Sequence, residues 1–572
     1  MKIARIGVLL DQAAAERRWH YGLNVFERYI GEVLEHAGIP FQWVNHSRQI
    51  EKMKYDILIV ALANEDEYTA NEVLRFANNG GTVIAYGGLN RLASKLQYDE
   101  IPALNIGYAN VNEVSGESSK LRFLSARPWR IRTSSESDSV ELGELHQHTP
   151  DGDVIAPALV QIKVGSGTIH RWSVEIPATI VGFQQGTKPV IEDGIDASDG
   201  SAVVKEGILK ADDRCEMDWE LDRAQTETGA IYFDTPHADL WREQIIGHLL
   251  KCSVAMELPL PFMGYWPEGV NGVAHISHDS DINLDVHAES TLSILAECEV
   301  NSTWCMLEPG YSPPIYEQIK AAGHELAFHY NSLPEQAGHW SEEEFNEQLN
   351  WLKRDTGETV IKSNKNHYTR FEGFGELFEW CERAGIASDQ TRGPSKRGNV
   401  GFLFGTCHPY FPIAWSNDDN RMYDVIELPF LTQDMDLKAW SDSSIIAPFL
   451  AGVERVNGVA HFLFHQIHIH NQEAVRGAFR KLVQQAKAKG FEFWTGARIN
   501  DWERLKRSLI ISGLDDSGQA IVRRRDHSPL NNGEATEGAL VIWLPLSGTD
   551  ARAASAEMKF GIPCVRQVVA LG

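Results

Sequence analysis

The sequence predicts an α/β protein in three parts: a doubly wound α/β domain, a parallel (β/α) barrel and a small β appendage. Three observations carry this reading. Strand-like and helix-like segments alternate near the N-terminus and again from about 270 to 500. A proline-rich stretch, LPLPFMGYWPEG at 258–269, separates the two. A chain of 572 residues holds three or four domains of about 150 residues each.

In the first part (1–258), RIGVLL reads as a strand and LNVFERYIGEVLEHAG as an amphipathic helix stopped by Gly38. FQWVN and DILIVAL follow as strands, EYTANEVLRFANNGG as a helix with a glycine stop, and TVIAYGG as a further strand. Runs continuous in Val, Ile and Leu are the mark of strands covered on both faces, as in parallel sheets. After about residue 115 the pattern turns to short strands such as GSGTIHRWSV and GAIYFD, then to the helix ADLWREQIIGHLLKC.

The second part (259–508) alternates again. Strands are read at GVAHIS, NSTWCML, HELAFH, TVIKSN, GVAHFLFH and FEFWTG. Helices are read at VHAESTLSILAEC, IYEQIKAAG, GELFEWCERAG and EAVRGAFRKLVQQAKAKG. Ser341 with Glu344 forms a capping box opening a helix whose apolar face is Phe345, Leu349 and Leu352. So many βα units favour a closed or nearly closed parallel barrel over an open doubly wound sheet. The third part (509–572) holds SLIIS, AIVRRR and ALVIWLPL between Gly, Asp and Asn turns, a small β appendage with no chemical signal.

Hydrophobic residues make up 43% and charged residues 23%, which is globular composition. Lys and Arg number 53 against 79 Asp and Glu, a net charge of −26. That surface repels phosphate backbones and anionic lipid, so nucleic acid and acidic membranes are excluded as main partners. The 7 Cys are widely spaced with no CxxC, which implies reduced structural thiols rather than a thiolate zinc site. The apolar run Ile6 to Leu10 stops at Asp11, too short for a signal-peptide core, and no stretch approaches the ~20 apolar residues of a membrane span. A cytoplasmic protein is expected.

In a parallel barrel the loops after the strands form the active face. The polar residues following the predicted strands are His278, Asp279, Ser280 and Asp281; His329, Tyr330 and Asn331; Asn366, His367 and Arg370; and His465, Gln466 and His468. Carboxylates and imidazoles thus gather at one end of four strands far apart in sequence. One Asp and two His suit zinc or another divalent transition metal with a position left for water. A second carboxylate can take a proton and a further His can give one, which together perform metal-assisted hydrolysis of an amide or ester. Calcium is disfavoured: Asp279-x-Asp281-x-Asn283-x-Asp285 mimics an EF-hand loop but has Leu284 at its sixth position and Ser290 at its twelfth. His275 and His461 fall inside buried strands and read as core histidines, and His324 as a structural partner of the turn before its strand. His465 ends its strand directly and is preferred to His468.

Four segments resemble motifs of the polysaccharide deacetylase family. ISHDSD resembles its first motif, AAGHELAFHYNS its second, HYTRFEGFGELFEWCERAGIASDQT its arginine-containing third and HFLFHQ its last. The resemblance covers roughly 270–500 and implies a distorted (β/α) barrel of about seven strands. It implies Asp279 as catalytic base, Asp281 as metal ligand, His329 as a second ligand and His465 as acid. Arg370, in the third motif, either orients Asp279 or pairs on the acidic surface. The chain departs from the family at Leu333, where a second histidine ligand is usual, and His367 is the proposed replacement. The family's paired Asp-Asp is also absent, Ser280 standing between Asp279 and Asp281. Which of the two binds metal stays open, with Asp281 favoured. YDILIVAL, LRFANNGG and TVIAYGG of the first part resemble the class I glutamine amidotransferase-like fold. Tyr86-Gly87-Gly88-Leu89 carries no nucleophile Cys, so a non-catalytic domain is implied. That domain is expected to present a surface to the barrel's active face or to another subunit.

The expected function is a metal-dependent hydrolase of deacetylase type, with a divalent cofactor such as Zn2+, cleaving the amide of an N-acetylated sugar or related compound. Two alternatives stand beside it: a non-catalytic carbohydrate-binding or scaffold protein with a degenerate site, and a hydrolase of a small metabolic amide. The partner is a carbohydrate or small amide, and a homo-oligomer stays open.

Overall fold

In the computed structural model the described residues are 2–132, 138–336, 338–438, 440–528, 538–547 and 555–571. The first part is built on a nine-stranded sheet. Its strands are β1 (Ile6–Leu10), β2 (Gln42–Val44), β3 (Ile57–Leu62), β4 (Thr82–Tyr86), β5 (Gly107–Asn110), β6 (Leu121–Phe123), β7 (Ser139–Gln147), β8 (Val154–Val164) and β9 (Gly167–Trp172), in the order β2-β1-β3-β4-β9-β8-β7-β5-β6. From β2 to β9 the pairing is parallel; from β9 onward it is antiparallel.

Successive residues of the parallel strands feed two different cores, which is why these strands read as unbroken apolar runs. Ile57, Ile59 and Ile84 pack with the helices Ile30–His36 and His237–Ala255. Leu58, Val60, Val83 and Ala85 pack with Ala70, Val73 and Ala77 of the helix Glu67–Asn78. The Asp66 carboxylate caps that helix by accepting from the Thr69 amide.

The second part is a sheet of parallel strands: β10 (Gly272–Asp279), β11 (Thr303–Met306), β12 (Glu325–Tyr330), β13 (Ser363–Asn366), β14 (Ser388–Asp389), β15 (Ile426–Glu427), β16 (Thr432–Gln433), β17 (Val459–Leu463) and β18 (Phe491–Phe493). The order is β15-β14-β13-β12-β11-β10-β17-β16, with β18 pairing the start of β10. The two edges, β15 and β16, are successive pieces of one segment. Within it the Leu428 amide donates to the Asp389 carbonyl and the Leu431 amide to the His461 carbonyl. The sheet therefore curls until 426–433 spans the gap between β14 and β17. Helices wrap the outside. The Ser341 hydroxyl accepts from the Glu344 amide at the head of Glu342–Thr356, whose Phe345, Leu349 and Leu352 are buried.

The third part contributes the hairpin Leu509–Leu514 with Ala520–Arg524, and the strands Ala539–Pro545, Glu557–Lys559 and Ile562–Ala570. Phe262–Met263, just before the barrel, pairs with this last sheet. Among the described residues no helix is long and apolar enough to cross a membrane.

The first part meets the barrel at loops that follow its strands. Val190 bridges to Gly373, Lys210 to Arg370 and Phe233 to Gly401. Gly401 has φ +104°, and a Cβ there would lie 2.2 Å from the Phe233 carbonyl oxygen. Only glycine permits that close approach of the two backbones.

Candidate metal centre

The candidate residues stand where the parallel strands end. β10 is longer than the sequence pattern suggests and runs through Asp279. Alternation then turns His278 outward, against the Phe464 carbonyl, and Asp279 inward. Asp281 lies two residues beyond. His329 is the penultimate residue of β12, His367 follows β13 and His465 lies two residues beyond β17.

Asp281 is the hub. Its Oδ1 lies 3.4 Å from His329 Nε2 and 3.6 Å from His367 Nε2, and its Oδ2 lies 3.5 Å from His465 Nε2. Asp281, His329 and His367 each present one ligand atom, all within 4.8 Å of one another. The rear nitrogens fix the imidazoles. His329 Nδ1–H donates to the Lys365 carbonyl at 2.9 Å, and His367 Nδ1–H to Asn331 Oδ1 at 3.1 Å. Both Nε2 lone pairs are thereby aimed inward, as in metal-ligating histidines. His329 Nε2 and Asp281 Oδ1 are buried and lack a hydrogen-bond partner. Orphaned acceptors of this kind are costly unless a cation meets them, so the donor set fits a divalent metal. Burial alone would raise the Asp281 carboxyl, but the His465 imidazole outweighs it and holds the group well below the usual carboxylate range.

Two further groups flank the hub. Asp279 Oδ2 lies 3.7 Å from His329 Nε2, and its Oδ1 lies 3.4 Å from Lys365 Nζ. On the other side His465 Nδ1–H donates to Asp434 Oδ2 at 2.5 Å, while the His465 amide donates to Asp434 Oδ1 at 3.0 Å. Burial opposes a charge on His465, yet Asp434 and then Asp281 outweigh it and push the pKa up to about 10. His468 stands 4.0 Å from Asp434, and burial lowers its pKa.

Arg370 is not brought to the site. Its guanidinium donates to the Ser332 carbonyl and to Glu372. Tyr368 (φ +60°) and Thr369 (φ +53°) are left-handed, and this double reversal turns Arg370 into the pairing with Lys210 of the first part. Among the described residues the cation beside Asp279 is Lys365 instead. Leu333 is buried and apolar and offers no ligand. The expected core histidines are hydrogen-bonded within the barrel: His275 to the Trp494 carbonyl and Gln390, His461 to the Leu428 carbonyl and Ser277.

Sequence reasoning missed Lys365 and Asp434. Lys365 shares strand alternation with Ser363 and His367, a pattern that would have placed it inward. Asp434 follows a two-residue strand with no periodicity to read.

A separate cluster, His170, His248 and Cys252, lies in the first part. Trp172 Nε1–H donates to His248 Nδ1, His248 Nε2–H to His170 Nδ1 and His170 Nε2–H to Thr168 Oγ1. Both nitrogens of His248 are spent in this chain, so the cluster is a hydrogen-bonded strut. The rim of the barrel site is apolar and exposed at Ile282, Leu284 and Tyr368, with Lys210 Nζ 5.4 Å from the Tyr368 ring centre.

No family model matches the chain, and no curated protein matches it. Solved structures similar to parts of it include a β-galactosidase from G. stearothermophilus, at 16% identity over 30% of this chain, with TM-score 0.21. The chain spans about a quarter of that enzyme's length, 27%. An allantoinase is 13% identical over 42% of this chain and 92% of its own, with TM-score 0.31. A proposed polysaccharide deacetylase from Mycobacterium smegmatis is 16% identical over 43% and 94%, with TM-score 0.31. Scores this low carry no argument, and the site stands on its own geometry.

Proposed function

We propose that the chain is a metal-dependent hydrolase of deacetylase type, acting on the amide of an N-acetylated sugar or a related compound. One observation carries the reading: two inward-facing imidazoles and a carboxylate converge on one point, with the Asp279 carboxylate and the His465 imidazole beside them. Asp281, His329 and His367 would hold the ion, and nitrogen and oxygen donors of this kind suit zinc. When bound, the ion polarises the substrate carbonyl and acidifies a water.

The chain's own residues supply the proton traffic. Asp279 takes a proton at Oδ2, because its Oδ1 faces Lys365. His465, oriented and charged by Asp434, gives its Nε2 proton to the departing nitrogen. The base comes from the end of β10 and the acid from just beyond β17. The first part, read as an amidotransferase-like domain without a nucleophile, borders the rim of the site at Lys210, whose Nζ lies over the Tyr368 ring.

The test is release of acetate from N-acetylglucosamine oligomers by the full chain, with and without a chelator. Chelator-sensitive release that returns on adding zinc supports the reading. Zinc-loaded chain that releases nothing from these oligomers or from simple N-acetyl amides contradicts it.

A further inference from the structure

Asp279 and Asp281 lie at nearly the same distance from the same atom: Asp279 Oδ2 is 3.7 Å and Asp281 Oδ1 is 3.4 Å from His329 Nε2. Proximity to the histidine does not explain why one carboxylate should be ligand and the other base. Their other neighbours do. Asp281 faces three imidazoles. Asp279 faces the ammonium of Lys365, a side chain with no solvent exposure at all.

That ammonium is latched from behind by a chain of hydrogen bonds with a single direction. His461 Nδ1 meets the Leu428 carbonyl at 3.1 Å, so it must donate there. His461 Nε2 is left to accept, and takes the Ser277 hydroxyl proton at 2.8 Å. The Ser277 oxygen in turn accepts from Lys365 Nζ at 2.6 Å. Burial keeps His461 neutral by lowering its pKa well below the ordinary value. Ser277 and Asp279 are alternate residues of β10 and face the same side, so Lys365 reaches across from β13 to touch both. A buried ammonium requires a carboxylate partner, and a carboxylate engaged in that way is a poor ligand for a second cation.

We propose that Lys365 is the positioning residue that divides the labour between the two carboxylates, holding Asp279 off the ligand cluster so that Asp281 alone joins His329 and His367. The inference rests on the hydrolase reading above. Without the ammonium, Asp279 is free to become an additional ligand.

The experiment loads the full chain with Co2+, whose visible absorption weakens as its ligand number rises. Wild type, Lys365→Met, Asp279→Asn and the double variant are compared, with folding checked by circular dichroism. The expected result is a weaker absorption in Lys365→Met than in wild type, and no difference between Asp279→Asn and the double variant. Such non-additivity shows that Lys365 acts through Asp279. Where Lys365→Met does not fold, Ser277→Ala, which removes the latch and keeps the charge, shows a smaller change in the same direction. Identical spectra for wild type and folded Lys365→Met overturn the proposal while leaving the hydrolase reading intact. Wild type that binds no Co2+, or binds it equally well as His329→Ala, overturns both.

Discussion

His367 Nε2 lies 3.6 Å from Asp281 Oδ1, so the end of β13 meets the end of β10 across the mouth of the barrel. The histidine thereby joins Asp281 and His329 in a cluster to which Leu333, on the β12 loop, contributes nothing. His367→Ala should lower zinc affinity by at least about a hundredfold, the upper end of what losing an outer-shell partner costs. His329→Ala should strip the ion. Equilibrium dialysis with metal analysis checks both. Full occupancy in either variant would show that the ligands lie elsewhere.

Asp279→Asn and Asp281→Asn should part company. Asp279→Asn should keep its metal and lose about a hundred- to ten-thousand-fold in turnover, the usual cost of a missing general base. Asp281→Asn should bind metal weakly, since an amide is a poorer ligand than a carboxylate, and should regain part of its activity in excess metal. Turnover across a metal titration separates the two. The opposite pattern would exchange the roles.

Asp434→Ala should leave metal content unchanged and slow turnover about a hundredfold or more. The variant loses both hydrogen bonds to His465, at Nδ1 and at the amide. Wild-type turnover in Asp434→Ala would remove His465 from the role of acid.

Stability should also depend on pH through Asp239. This fully buried carboxyl accepts from the Thr406 hydroxyl and the Cys407 amide, and burial pushes its pKa up to about 7. A carboxyl raised in the folded state binds its proton more tightly there than in the unfolded chain. The fold should therefore lose stability as pH climbs from about 4 to about 7, by up to about 1.4 kcal/mol per pH unit for this group, and level off above. Asp239→Asn should flatten that part of the curve in thermal unfolding between pH 5 and pH 7.5. An unchanged slope would count against a raised pKa.

Much of the barrel was legible because its strands are long enough to show a pattern. β10, β12 and β17 are largely apolar runs with Asp279, His329 and His465 at or just beyond their ends, and the sequence pattern put Asp279, Asp281, His329, His367 and His465 at one end of the strands. The closing segment 426–433 was not legible. Its strands are two residues each and are set by hydrogen bonds to β14 and β17 rather than by their own sequence. Asp434, which follows it, went unseen for that reason. Arg370 was misplaced because Tyr368 and Thr369 take left-handed φ values that non-glycine residues rarely adopt. Lys365 went unnoticed because a lysine flanked by Asn364 and Asn366 reads as solvated surface, whereas the barrel interior here is polar enough to bury it.

The central claim is that one divalent ion sits among Asp281, His329 and His367. Crystals of zinc-loaded chain, measured at and below the zinc absorption edge, test it most directly. The account predicts a single strong anomalous peak within bonding distance of Asp281, His329 Nε2 and His367 Nε2, with Asp279 outside that distance. A peak held by Asp434, His465 and His468, or by His170, His248 and Cys252, with none at Asp281, would contradict it.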